Sequence, residues 1–225
     1  MTKVLLAPSA LGTVLSLTGL PGGSNKIHDR SPYGNVGTIV GATWVKLPAG
    51  LWVLSFDGSD DYVDCGNGAS LNITDAITIE FWFNPAETSQ GGFMVRREQG
   101  TDNIWQVLWT SQKIKAALWF SDASYINPIN DTTLNTDAWY HGAVTYDRAD
   151  ARVYVNGELD MTPISETKAL ATGSSPLWIG RWFATGNPDY YFQGRIGLPR
   201  VYNRALSALA IQNHFNQEKY LFGAW

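Results

Sequence analysis

Cysteine is almost missing. Cys65 is the single one in 225 residues, so no disulfide can close within the chain and no second thiolate is there to build a zinc site. Stability must come from packing, and a chain of this length can bury a full core. Charge is also scarce: Asp, Glu, Lys and Arg make up 16%, which leaves a neutral, polar-aromatic surface. The net charge is −4 and the 16 Lys and Arg are scattered, so there is no basic patch for nucleic-acid phosphates or an anionic membrane. The N-terminal string MTKVLLAPSALGTVLSLTG is interrupted by Pro8, Ser9, Gly12 and Thr13. It is a poor export signal and far short of a membrane span.

Aromatic residues and turn formers are what the chain has instead. Trp, Tyr and Phe reach 13%, and 22 Gly and 10 Pro are spread between apolar runs rather than clustered, which argues for many turns. More than ten short strand-like runs follow one another, too many for one flat open sheet. In ITIEFWF, Ile77, Ile79, Phe81 and Phe83 alternate with Thr78, Glu80 and Trp82, a core-in, polar-out strand. Other runs fall at 14–17, 51–56, 62–65, 93–97, 104–109, 114–120, 140–146, 152–155, 177–179 and 192–202, the last broken at Pro199. Asn156-Gly157 predicts a type I′ hairpin pairing 152–155 with the residues after Gly157. One helix is predicted, with Ser207 as N-cap and Ile211 and Phe215 on one face, packed on the edge of the sandwich. The apolar LFGAW at the end needs a cover, from this domain or from a neighbour.

Seven strings then fall into a known order: IHDRSPYGNVGTIVGATW, LSFDGSDDYVDCG, ITDAITIEFWFNP, AWYHGAVTYD, RVYVNGELD, LWIGRW and FQGRIGLPRVYNRALS. Together they resemble the laminin-G-like, concanavalin A-like jelly-roll family over roughly residues 13 to 217. The resemblance implies an all-β domain spanning 1–225, with two antiparallel sheets stacked as a jelly-roll sandwich and one short C-terminal helix. It does not choose a function, since the family spans glycan-binding modules, adhesion domains, non-catalytic parts of enzymes and virion proteins.

The acidic residues support two readings. Asp57, Asp60, Asp61 and Asp64 could offer oxygens to calcium, but Asp57-Gly58 and Ser59-Asp60 are also turn formers, and a hairpin is the favoured reading. Relatives often carry a structural calcium held by an Asp like Asp29 and another in a GRID-type string. Here that string is GRIG, with Gly197 in the acid's place. A structural calcium therefore stays open, and no other cofactor is expected.

Catalytic constellations are missing from the pattern. Glu158-Leu159-Asp160 abuts the Asn156-Gly157 turn and is cut by Pro163, unlike the mid-strand acids of glycoside hydrolases. His28, His141 and His214 have no paired spacing, and Cys65 has no neighbouring His. The chain is thus expected not to be an enzyme. Aromatic stacking remains. If Ile114, Ala116, Leu118 and Phe120 face the core, Lys115 and Trp119 face out. The same parity turns out Gln106, and Trp178, Gly180 and Trp182. Gln106, Lys115, Trp119 and Trp182 are the candidate glycan-binding patch. The loop at 184–191, with its tyrosine pair, suits a binding loop or a plain connection.

The expected function is a non-enzymatic binding or adhesion module for a glycan or surface glycoprotein, exposed on a phage or virus particle as a monomer or homo-oligomer, without a classical signal peptide. A purely structural capsid-decoration or tail protein buried against virion neighbours is one alternative. A carbohydrate-active hydrolase or lyase is the other.

Overall fold

The computed structural model describes residues 11–21, 24–97, 103–183 and 189–224. In chain order the strands are β1 (Thr13–Thr18), β2 (Lys26–Asp29), β3 (Gly37–Val40), β4 (Thr43–Lys46), β5 (Trp52–Asp57), β6 (Tyr62–Asp64), β7 (Ile77–Pro85), β8 (Gly91–Arg97), β9 (Asn103–Thr110), β10 (Lys113–Trp119) and β11 (Tyr125–Ile126). They continue with β12 (Tyr140–Tyr146), β13 (Asp150–Val155), β14 (Glu158–Leu159), β15 (Ile164–Ser165), β16 (Trp178–Ile179), β17 (Arg181–Trp182), β18 (Tyr190–Tyr191) and β19 (Gln193–Tyr202). Helix α1 (Ala208–Phe222) closes the fold.

Every pairing is antiparallel, and the strands form two layers. The back sheet runs β4–β5–β19–β7–β12–β13, with β14 and β15 beside β13 and β1 on the later half of β19. The front sheet runs β2–β3–β6–β16–β8–β9–β10–β11. A short β1–β2 pairing joins them. The break expected at Pro199 is a bulge between Gly197 and Arg200, where Leu198 adopts φ 48° and the proline, lacking an N–H, drops out of the ladder. Asn156 and Gly157 take φ 50° and 84°, the type I′ signature, and Val155 pairs with Glu158 as predicted.

Between the layers, Ile77, Ile79, Phe81 and Phe83 meet Phe93, Trp105 and Trp109, and the Phe83 and Phe93 rings lie 4.6 Å apart. The alternate residues of β7 correct the polar-out reading: Thr78, Glu80 and Trp82 are all 0% exposed. Their cover is α1. The Ser207 side chain accepts from the Ala210 N–H at its start, and Gly223 ends the helix in the left-handed region. The helix lies across the outer face of the back sheet instead of at its edge, with Phe222 stacked 4.2 Å from Trp82 and Ile211 beside Tyr154 and Tyr202. Leu221 and Phe222 of the apolar C-terminal string fold back here, while Trp225 lies outside the described residues.

This position has a chemical cause. Arg200 binds Glu218 through both terminal nitrogens, at 2.6 and 2.9 Å, and Trp82 Nε1 donates to the same carboxylate at 2.8 Å. Glu80 receives His141 and His214, each within 2.9 Å. Burial opposes the charge on Glu80, but Arg200 and the two histidine bonds outweigh it and hold the carboxyl well below its ordinary value. A polar network of two acids, one arginine and two histidines therefore pins the helix on the back sheet, and the front sheet has no described α-helix over it.

Candidate functional site on the front sheet

Register places one row of side chains straight across that face. Thr38, Asp64, Trp178, Val95, Gln106 and Ala117 are successive partners on β3, β6, β16, β8, β9 and β10. Their chain neighbours Val63, Ile179, Met94 and Val107 point into the core, so the row faces out. On β10 the row is flanked by Lys115 and Trp119, two residues either side of Ala117. The parity expected there holds: Ile114, Ala116, Leu118 and Phe120 are buried at 1% exposure or less.

The ribbon β17–β18 lies over the same face. An added Cβ on Gly92 would come within 2.2 Å of the Arg181 carbonyl oxygen, so only glycine allows the ribbon to settle on β8. Arg181 is clamped there: its guanidinium sits 4.5 Å from the Trp178 ring and 5.1 Å from that of Tyr62, and its Nε donates to Asp189 at 2.7 Å. Trp182 stacks on Tyr190 at 4.9 Å.

Of the four predicted binding residues, Gln106, Lys115 and Trp119 lie on the outer side of β9 and β10, and Trp182 belongs to the ribbon. Trp119 is half-buried, with Tyr125 at 5.6 Å and the Arg97 guanidinium at 5.4 Å from its ring. Together with Asn103, Ser121 and Thr172 it lines an open groove of ≈ 450 Å³. Lys115 is half-buried and has no ion pair among the described residues. Trp182 is half-buried, but its Nε1 is shielded and without a partner among the described residues. Gln106 departs from the expected exposed patch: it is 6% exposed, because it sits well in from the sheet edge, between Val95 and Ala117. Its Oε1 is buried without a hydrogen-bond partner among the described residues. Trp178, also read as outward, is 8% exposed beneath Arg181. Of the loop at 184–191, residues 184–188 lie outside the described residues, and Asp189, Tyr190 and Tyr191 belong to the ribbon.

The acidic residues do different work. Asp57 and Asp61 end and precede strands of opposite sheets, so the expected hairpin is instead a crossover turn. Asp57 Oδ1 accepts the Ser59 and Asp60 N–H groups, and Asp61 Oδ2 accepts that of Asp57. Carboxylate oxygens of Asp57, Asp60 and Asp61 lie within 4.8 Å of one another. Burial, together with its acidic neighbours, raises the Asp61 carboxyl. The calcium set implied by the family resemblance does not fit. Asp29 already accepts from Ser16 N, Ser31 N, Ser31 Oγ and Asn35 N. At Gly197, a side chain would meet Phe222 and Val53 at 2.9 Å. Cys65 is buried, and burial pushes its thiol up. His141 of β12 and His214 of α1, remote from each other in sequence, meet at Glu80. The two acids that converge, Glu80 and Glu218, do so on Arg200 and line none of the grooves described here. Glu158 accepts from Gln212, and Asp160 holds Thr132 and Asn130.

Two stacked antiparallel sheets, one face sealed by a helix and the other carrying aromatic side chains beside an open groove, define a lectin-like jelly-roll sandwich. The family model Laminin_G_3, concanavalin A-like lectin/glucanases superfamily, matches residues 57–212, and the chain belongs to this family. No curated protein matches the chain. Among solved structures it is similar to the binding domain of Paraclostridial Mosquitocidal Protein 1, with TM-score 0.73 and 17% identity over 91% of this chain and 52% of that one. It is also similar to the receptor binding domain of botulinum neurotoxin D, with TM-score 0.70 and 17% identity over 92% of this chain and 53% of that one. A botulinum neurotoxin serotype D ligand binding domain in complex with N-acetylneuraminic acid gives TM-score 0.70 and 16% identity, over 91% of this chain and 50% of that one. The chain spans about half the length of these structures, and at such identity the likeness is one of fold. Among the described residues no helix is long and apolar enough to cross a membrane.

Proposed function

We propose that this protein is a non-enzymatic binding module that holds a glycan, or the glycan of a surface glycoprotein, on the front sheet at Trp119. One observation carries this reading: a half-buried tryptophan with a cation on its ring at 5.4 Å stands at the wall of a groove of ≈ 450 Å³. A sugar ring can lay its C–H face on such an indole while Asn103, Ser121 and Thr172 meet its hydroxyls. Lys115 extends the polar side of the site along β10, and the Gln106 amide lies beneath the same face with its oxygen shielded. The binding-domain names of the structural neighbours and the lectin-like family support the same class of activity. The neutral surface and the single buried thiol favour a setting on an exposed assembly such as a phage or virus particle.

A glycan array tests the assignment. The chain should retain a defined set of glycans, and Trp119→Ala should weaken the best of them by about tenfold or more, with its thermal midpoint little changed. Undiminished capture by a folded Trp119→Ala variant would falsify the site. Turnover of a polysaccharide abolished by changing one carboxylate would overturn the non-enzymatic reading.

A further inference from the structure

The back sheet carries a second surface, and its key residue is Arg195. The chain has nine arginines, and eight of them have partners. Arg30 bonds to Thr18, Arg96 to backbone carbonyls, Arg97 to Asn103, Arg148 to Asp75, Arg152 to Asp147, Arg181 to Asp189, Arg200 to Glu218 and Arg204 to the Leu11 carbonyl. Arg195 is exposed and has neither a hydrogen bond nor an ion pair among the described residues.

Its position follows from the register. Thr43, Ser55, Arg195 and Asn84 are successive partners on β4, β5, β19 and β7. Their neighbours Leu54, Ile196 and Phe83 are in the core, so the four side chains stand on the outer face. Helix α1 covers that face only as far as Phe222, which rests over Gly197, two residues along β19 from Arg195. Arg195 therefore stands where the helix cover ends, beside the partly negative C-terminal end of α1, which lets an unpaired cation remain there.

Two grooves are both lined by Arg195. One, of ≈ 300 Å³, is polar, with Ser55, Asn84 and Asp137 in its walls. The other, of ≈ 380 Å³, is walled by Trp139, Tyr220 and Phe222. We propose that this junction binds a saccharide bearing a carboxylate. The planar guanidinium fork matches a carboxylate in a way that no neutral group does. The aromatic wall offers a ring face for sugar C–H groups, and Asn84, Ser55 and Asp137 offer hydrogen bonds to its hydroxyls. The Asp137 carboxylate has no partner among the described residues, and its backbone stands in the left-handed region at φ 60° with its N–H donating to the Pro85 carbonyl. A carboxylate on the polar wall favours a singly charged, hydroxyl-rich ligand over a polyanion. This inference is independent of the front-sheet reading, since it uses the opposite face.

The test is titration calorimetry and arginine Nε–Hε NMR on the full chain with trigalacturonate and with N-acetylneuraminic acid, against fully methyl-esterified trigalacturonate and triglutamate. One of the two acidic sugars is expected to bind and to shift the Arg195 signal. Arg195→Gln should weaken it about tenfold or more, and Arg195→Lys should recover only part. Because Arg195 is exposed, its variants should keep the thermal midpoint of the parent chain. The proposal is overturned if neither acidic sugar binds at millimolar concentration, if the ester binds equally, if triglutamate binds as well as the sugar, or if a folded Arg195→Gln variant retains full affinity.

Discussion

A carboxamide oxygen buried without a partner lowers stability unless something outside the chain completes it. Gln106 Oε1 is such an atom, 6% of its residue being exposed in the middle of the front face. Gln106→Leu removes the unpaired acceptor while keeping the volume, so the variant should be more stable by about 1 kcal/mol in urea unfolding. If Gln106 belongs to the glycan site, the same variant should also bind less tightly. A Gln106→Leu protein that is clearly destabilised would show that the amide is already satisfied in the fold, and its place in the site would go with it. The outward parity of Lys115 and Trp119 was legible because alternation along one strand needs no knowledge of its neighbours. The burial of Gln106 was not, since it depends on β8 and β10 lying on either side. The meeting of His141 and His214 at Glu80 joins residues 61 and 134 positions apart, and no local pattern signals it. Arg195 sits in a string read only for its lost acid at Gly197, and its lack of a partner is visible only in three dimensions.

Helix α1 is an element whose existence and docking rest on different residues. Ser207 and the spacing of Ile211 and Phe215 announce a helix from local chemistry alone. Where it docks is decided by Glu80, Trp82 and Arg200, which in sequence look like the solvent side of ordinary strands, because a polar residue at an alternate position reads the same whether water or a helix lies above it. The seam between helix and sheet is also where single substitutions should cost most. Glu218→Ala leaves the buried Arg200 guanidinium with only the more distant Glu80 contact at 3.3 Å and removes the acceptor for Trp82 Nε1. Truncating one side of a buried ion pair costs about 3–5 kcal/mol, and a loss in that range is expected in chemical denaturation. Hydrogen exchange should show protection falling first along α1 and in β7, with the β8–β9–β10 ladder retained. A change below about 1 kcal/mol, the size of an exposed pair, would mean that apolar contacts such as Phe222 on Trp82 hold the helix alone.

For the molecule as a whole, the same network ties the back sheet to its cover and sets the acid limit of the fold. Two layers were implied by the family resemblance and one helix by its cap and apolar spacing, whereas the choice of covered face was not legible, and that choice buries Glu80. Burial works against the charge on Glu80, yet Arg200, His141 and His214 keep its carboxyl well below the ordinary 4.5. A carboxyl depressed in the folded state contributes stability that is fully present above its unfolded value and is lost as pH falls through the folded one. Asp147 is also depressed: burial again opposes its charge, and the Asp150 N–H, Arg152 and the Ala149 N–H outweigh it. Exposed Asp122 is lowered to about 2 by Ser124 and Lys168. Asp61, raised chiefly by burial, has the opposite sign and gains a little stability on protonation. The three depressed groups outweigh it, so the denaturation midpoint should hold from neutral pH down to about 5 and then decline steadily toward pH 3. Glu80→Gln separates this cause from general acid swelling. That variant should start less stable at pH 7, because Arg200 and the two histidines lose their shared anion, yet show a shallower decline between about pH 5 and 3. If the parent chain is equally stable at pH 3 and 6, or if Glu80→Gln keeps the full parental slope, then the buried carboxylate is not what couples the layers to proton concentration.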